Sequence, residues 1–103
     1  MVKLTKAGVC PPLENKVEAR VCKWVKAQGG KAIKFTPKGD VGWPDRIMIL
    51  PPHGTHVWVE VKRPGQPLRE LQVYRIKELQ AIGANVIWGD DAEELIDLLK
   101  EYM

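Results

Sequence analysis

The chain has 103 residues, with 16 Lys and Arg against 13 Asp and Glu, a formal net charge of +3. That length holds one core-forming domain and not two, and 45% apolar with 28% charged residues excludes a disordered chain. No apolar run approaches the ~20 residues of a membrane span, and the start, MVKLTKAGVCPPLENK, lacks the apolar stretch of a secretory signal, so a cytoplasmic protein is expected. Residues 1–12 read as a flexible N-terminal lead, with Pro11-Pro12 stopping any early helix, ahead of a single domain over 13–103.

Residues 13–28 read as an amphipathic helix. Val17, Val21, Trp24, Val25 and Gln28 follow helical spacing, and Gly29-Gly30 ends it. Glu14 and Glu18 fall within or beside the apolar stripe, where carboxylates are not normally found. Glu14 suits the positive end of the helix dipole, and Glu18 can pair with a nearby Lys or Arg. Alternatively one of them points at the acids described below, Glu18 before Glu14. Cys10 and Cys22 form no CxxC, and Cys22 reads as a small buried residue.

Residues 31–36 form a short strand, followed by the loop PKGDVGWP. Asp40 fits turn chemistry there. Trp43 either packs partly buried or stands exposed to stack on a base. Residues 45–50 and 55–62 are the strands of a hairpin closed by PPHG at 51–54. Alternation puts Val57, Val59 and Val61 on one face and His56, Trp58, Glu60 and Lys62 on the other. The tight turn brings Asp45 beside Glu60. His53 and His56 lack metal-ligand spacing.

After the loop RPGQP, residues 68–82 read as a helix with Leu68, Leu71, Ile76, Leu79 and Ile82 as its stripe. Gln72 borders that stripe, either on the surface or reaching the end of the hairpin. Residues 85–88 are a fourth strand. Residues 91–102 are a last helix with an acidic start and a stripe of Leu95, Ile96, Leu98 and Leu99. The order αβββαβα gives an α/β fold. Its mixed four-stranded sheet is flanked by helices, with room for a right-handed parallel crossover between strands three and four.

The chemistry gathers at one end of the hairpin. Two carboxylates held close repel, and burying them is costly. A hard divalent cation relieves that cost, and Mg²⁺ takes one or two carboxylates together with waters and phosphate oxygens. Asp45 and Glu60 supply the carboxylates, and the Val61 carbonyl adds a third oxygen. Lys62 is placed to orient the attacking water, lower its pKa or neutralise charge building on a phosphate. Lys34, Lys38, Arg46, Arg63 and Arg69 flank the acids and suit a phosphate backbone. The pattern points to metal-assisted hydrolysis of a phosphodiester. A non-catalytic DNA-binding module and a purely structural charge cluster are the competing readings.

PD at 44–45 followed by EVK at 60–62 resembles the PD-(D/E)XK nuclease superfamily, with its restriction-endonuclease-like αβββαβ core. More closely the chain resembles a stand-alone, phage-like VRR-NUC domain, the virus-type replication-repair nuclease module. The residues that carry this are Glu14 to Glu18, GGKAIKF at 29–35, GWPDR at 42–46, VEVKRPG at 59–65 and Gln72. The resemblance implies Asp45 and Glu60 as metal ligands, Lys62 as the catalytic lysine and Glu18, or Glu14, as the helix-one acid. Gln72 takes the place of the family's glutamine, and Gly42 that of its glycine before PD. It further implies a Mg²⁺- or Mn²⁺-dependent DNA endonuclease of phage or bacterial origin. Such an enzyme is selective for branched DNA or a Holliday junction, or, as the rival reading, is a sequence-specific restriction-type enzyme. It also implies a homodimer, for which Val57, Trp58 or the last helix are candidate faces.

Overall fold

The computed structural model describes residues 16–103. The expected lead, Cys10 and Glu14 lie outside the described residues. Element order is α1 (Lys16–Ala27), β1 (Lys31–Lys34), β2 (Arg46–Leu50), β3 (Thr55–Val61), α2 (Glu70–Ala81), β4 (Asn85–Gly89) and α3 (Ala92–Lys100). The strands form one four-stranded sheet in the order β1-β2-β3-β4. The first three are antiparallel neighbours, and β4 runs parallel to β3 after the α2 crossover. This is the mixed sheet that the element order predicts. Among the described residues no helix is long and apolar enough to cross a membrane.

Alternation along the strands divides the sheet into two faces. Val57 and Val59 of β3, Met48 and Leu50 of β2 and Ile87 of β4 face α1 and α3. There they pack on Val21, Val25, Leu95, Ile96 and Leu99. Trp58 and Val86 face the other way, onto Ile76 and Leu79 of α2. The turn 51–54 closes through a bond from the Gly54 N–H to the Leu50 carbonyl, 2.8 Å. Its register sets Arg46 opposite Val59, and so places Asp45 at the level of Glu60.

Three expectations need correction. The helix predicted over 68–82 starts at Glu70, and Leu71 and Ile82 are 41% and 80% exposed. The inward stripe is instead Gln72, Ile76 and Leu79, spaced i, i+4, i+7, so a polar residue takes the position that hydropathy gives to Leu71. In α3, Leu98 is exposed while Leu95, Ile96 and Leu99 are buried. Val57 is fully buried and Trp58 is enclosed by Phe35 and Trp43, so neither offers a free face for a second copy.

Gly42 is constrained twice. Its φ of +88° is a left-handed conformation that L side chains rarely adopt. A Cβ there would also lie 2.8 Å from the Leu71 carbonyl oxygen. The loop ahead of Asp45 therefore runs directly against the first turn of α2, which brings the loop, the hairpin and α2 to one point.

Candidate active site

Four polar or charged residues are buried among the described residues: Glu18, Glu60, Lys62 and Gln72. All four line one cleft of about 210 Å³, together with Asp45, Val61, Arg63, Gln66 and Arg69. The position of each follows from local structure. Asp45 immediately precedes β2, Glu60 and Lys62 alternate with Val61 along the end of β3, and Glu18 projects from the first turn of α1. Gln72 is the third residue of α2 and enters the cleft because the inward stripe of that helix begins there.

Gln72 joins the parts. Its Oε1 accepts from Lys62 Nζ at 3.0 Å and from the Arg69 backbone N–H at 2.8 Å, and its Nε2 donates to Glu60 Oε2 at 3.0 Å. The two donors fix the orientation of the amide, because an ammonium and a backbone N–H both require an oxygen. One side chain thus caps its own helix, anchors the lysine and holds the carboxylate. The Asp45 N–H donates to Glu60 Oε1 at 3.2 Å, and Lys62 Nζ stands 4.0 Å from Glu60 Oε2. Among the described residues no buried side-chain nitrogen or oxygen lacks a partner.

Charge is concentrated here. Burial pushes the Glu60 pKa from its ordinary 4.5 up to about 7, the neighbouring Asp45 adds to the rise, and Lys62 opposes it. Asp45 stands at the exposed rim, yet loss of water on its inner side raises its pKa too; Lys34 and Arg46 counter this and Glu18 reinforces it. Each carboxylate therefore loses more hydration than the neighbouring cations restore. The donor set suits a hard cation that relieves this repulsion. Asp45, Glu60, Glu18 and the Val61 carbonyl are the oxygens within the cleft that could hold one. Among the described residues no group of three His, Cys, Asp or Glu is placed to hold a metal ion by itself.

The expected cations separate into three kinds. Arg63 and Arg69 are exposed and line the cleft, and Lys34 is exposed and close enough to act on Asp45. Lys38 is exposed but lies in the turn before Asp40, away from the cleft lining. Arg46 points inward, and its Nε donates to Glu18 Oε2 at 2.5 Å, which makes it a structural partner of the helix-one acid. Trp43 is the packed residue and not the open platform. Its ring meets Phe35 edge-on at 5.5 Å, its Nε1 donates to Asp40 Oδ2 at 2.9 Å, and Arg75 lies over it at 5.3 Å. His53 and His56 are exposed and lie outside the cleft.

Arg75, expected only as a cation of the second helix, and Gln66 are not among the expected site residues. Arg75 donates to the Val41 carbonyl and is paired with Asp40, clamping the loop before Asp45 onto α2. Its only sequence signal is a position one turn after Gln72. Gln66 lines the cleft and accepts from the Arg63 N–H within the loop after β3, which no periodicity reports.

No family model matches the chain. It is 36% identical over 80 residues to a protein of Acyrthosiphon pisum secondary endosymbiont phage 1 named "Putative nuclease p44", covering 78% of this chain and 85% of the relative. A solved structure described as a VRR_NUC domain superposes with a TM-score of 0.80 at 26% identity, over 90% of this chain and 100% of that one. A second, described as a VRR_NUC domain protein, gives a TM-score of 0.72 at 18% identity, over 92% of this chain and 91% of that one, and speaks for the fold alone. Taken with the PD and EVK positions meeting in one cleft, these likenesses show that the chain belongs to the VRR-NUC family of the PD-(D/E)XK nuclease superfamily.

Proposed function

We propose that the chain is a Mg²⁺- or Mn²⁺-dependent DNA endonuclease. Asp45 and Glu60 would hold the ion with the Val61 carbonyl and Glu18, and Lys62 would be the catalytic lysine. The observation that carries this is the confinement of every buried polar residue among the described ones to a single cleft. Burial of charge costs stability, and buried ionisable groups cluster at functional sites. A bound divalent ion would supply Lewis-acid stabilisation of the charge that grows on the phosphate.

The chain's own groups supply the rest. Lys62 Nζ, anchored by Gln72 Oε1, keeps two further N–H donors for the attacking water or a phosphate oxygen. Its charge is greatest in effect when the phosphate gains charge, which is where it lowers the barrier. Gln72 Nε2 and the Asp45 N–H fix Glu60, so that carboxylate need not reorganise during reaction. Arg63 and Arg69 at the rim would seat the flanking phosphates. Selectivity for branched DNA such as a Holliday junction, and action as a homodimer, belong to the same proposal and rest on the family resemblance.

The test is cleavage of labelled single-stranded, duplex, flap and four-way-junction DNA with Mg²⁺, Mn²⁺ or EDTA, by wild type and Lys62→Ala. Metal-dependent cutting of the junction, lost in Lys62→Ala, is the expected result. Cutting of one duplex sequence in preference to the junction would replace structure selectivity by a restriction-type activity. Junction binding without cutting under either metal would leave a DNA-binding module.

A further inference from the structure

Trp88 is the most exposed tryptophan of the described residues. It is 42% exposed, whereas Trp24, Trp43 and Trp58 are partly buried, and among the described residues no ring contact or ion pair engages it. It lies on β4 opposite Glu60 of β3, and it alternates with Ile87, so it shares the α2 face of the sheet with Val86. Neighbouring strands are about 4.8 Å apart, which sets the ring roughly one nucleotide from the acidic cleft.

A second cavity, of about 310 Å³, is lined by Trp88, Pro67, Leu68 and Asp90, and by Lys62 and Gln66, which also line the acidic cleft. The two hollows therefore meet at the lysine. The loop forming the outer wall is tied to the end of β4 by the Gly65 N–H donating to Asp90 Oδ2 at 2.8 Å. A flat exposed ring, apolar neighbours and a polar rim, all continuous with a phosphodiester site, match the faces and edges of a nucleobase.

We propose that Trp88 is a stacking platform for one unpaired nucleobase of the strand being cut, beside the scissile phosphate. This rests on the nuclease reading of the cleft and narrows its substrate. A base inside a continuous duplex has both faces covered by its neighbours, so only a nucleotide that has left the stack can lie on Trp88. The favoured substrate then carries an unpaired or easily unstacked nucleotide at the cut, as branch points and bubbles do.

The experiment measures fluorescence anisotropy in EDTA with fluorescein-labelled DNA, either fully duplex or carrying a three-nucleotide bubble. The proteins are wild type, Trp88→Ala, Trp88→Leu and Trp88→Phe, each checked for folding by circular dichroism. Loss of the ring should weaken bubble binding roughly 5- to 100-fold and leave duplex binding within about twofold. Trp88→Phe should keep most of the affinity, and Trp88→Leu, which preserves apolar bulk without a π face, should not. An abasic nucleotide at one bubble position should weaken wild type by the same factor and Trp88→Leu no further. The salt dependence should stay that of wild type, because stacking releases no counterions.

Equal bubble affinity in wild type and Trp88→Leu, or an abasic penalty that survives in Trp88→Leu, overturns the platform. If wild type still cuts DNA with Mg²⁺ or Mn²⁺ in that case, the nuclease reading stands. If wild type cuts nothing while the ring-dependent bubble binding is seen, the nuclease reading fails and the platform remains.

Discussion

The two faces of β3 differ by one residue in sequence and by almost everything in chemistry. Toward α1 and α3, Val57 and Val59 are fully buried among aliphatic side chains. Toward α2, Trp58, Glu60 and Lys62 pass from an aromatic cluster into a buried polar network. Burial is similar on both faces, but along β3 itself only the α2 face buries groups that need partners. Within this strand the first face carries packing and the second carries charge. Mutations on the two faces should therefore separate activity from stability.

The largest expected effect is on the polar face. Lys62→Ala should lower cleavage per folded molecule by roughly 10²- to 10³-fold or more, read from single-turnover rates. Its counterpart on the other face is Leu95→Ala, at a fully buried position that packs within 3.3 Å of where a Gly89 Cβ would stand. That change should cost about 2–5 kcal/mol by urea unfolding and leave cleavage per folded molecule unchanged. Equal loss of activity in both variants would show that the faces are not independent.

Gln72, at the centre of the polar face, gives the next test. In Gln72→Glu the acceptor for Lys62 and Arg69 is kept, while the donor to Glu60 becomes a second carboxylate oxygen. Like charges at hydrogen-bond distance should destabilise the metal-free protein by about 1–3 kcal/mol at pH 8 and by less at pH 5.5. Added Mg²⁺ should recover part of the loss if the cation lies against Glu60. A variant as stable as wild type at pH 8 would mean that the Gln72–Glu60 bond carries no strain of charge.

The pH dependence follows from Glu60 itself. Its pKa is raised from 4.5 to about 7 on folding, so between those values the folded state holds a proton that the unfolded state has released. Stability should fall as pH rises through that window and level off above it, the opposite of the usual salt-bridged carboxylate. The drop is on the order of 1–3 kcal/mol. Thermal melts in EDTA from pH 4.5 to 8 would read it, and Glu60→Gln should flatten the slope.

How much of this was legible in the sequence divides along the same line. The valines of β3 and the stripe of α1 announced their faces, because alternation and helical period are properties of the backbone alone. Asp45, Glu60 and Lys62 were legible because a short hairpin turn fixes their register. Gln72 was visible as a candidate, but its inward direction was not, since hydropathy favours Leu71, which the structure leaves exposed against the Gly42 loop. Arg46 reads as a phosphate contact until α1 places Glu18 beside it. Trp43 and Trp88 are indistinguishable as letters; Arg75, Phe35 and Asp40 enclose the first, and an edge strand leaves the second open. Such distinctions depend on which elements meet, and single-chain patterning carries no record of that.

The smallest predicted effect compares two ion pairs made by α1. Arg20 meets Glu93 of α3 at 3.0 Å, with 48% and 68% of the two side chains exposed. Glu18 meets Arg46 of β2 with 7% and 12% exposed. Water already solvates the first pair well, and salt screens it, so Arg20→Ala should cost about 0.2–1 kcal/mol and nothing measurable in 1 M NaCl. Removing the partner of the second leaves a buried carboxylate, so Arg46→Ala should cost about 3–5 kcal/mol, and salt should alter it little. Glu18→Gln combined with Arg46→Ala should return part of that loss, since the stranded charge is then gone. If the double variant is no more stable than Arg46→Ala, the arginine acts through packing of its stem and not through the charge of Glu18. A salt-insensitive loss at Arg20 would show that the α1–α3 contact is likewise a packing contact.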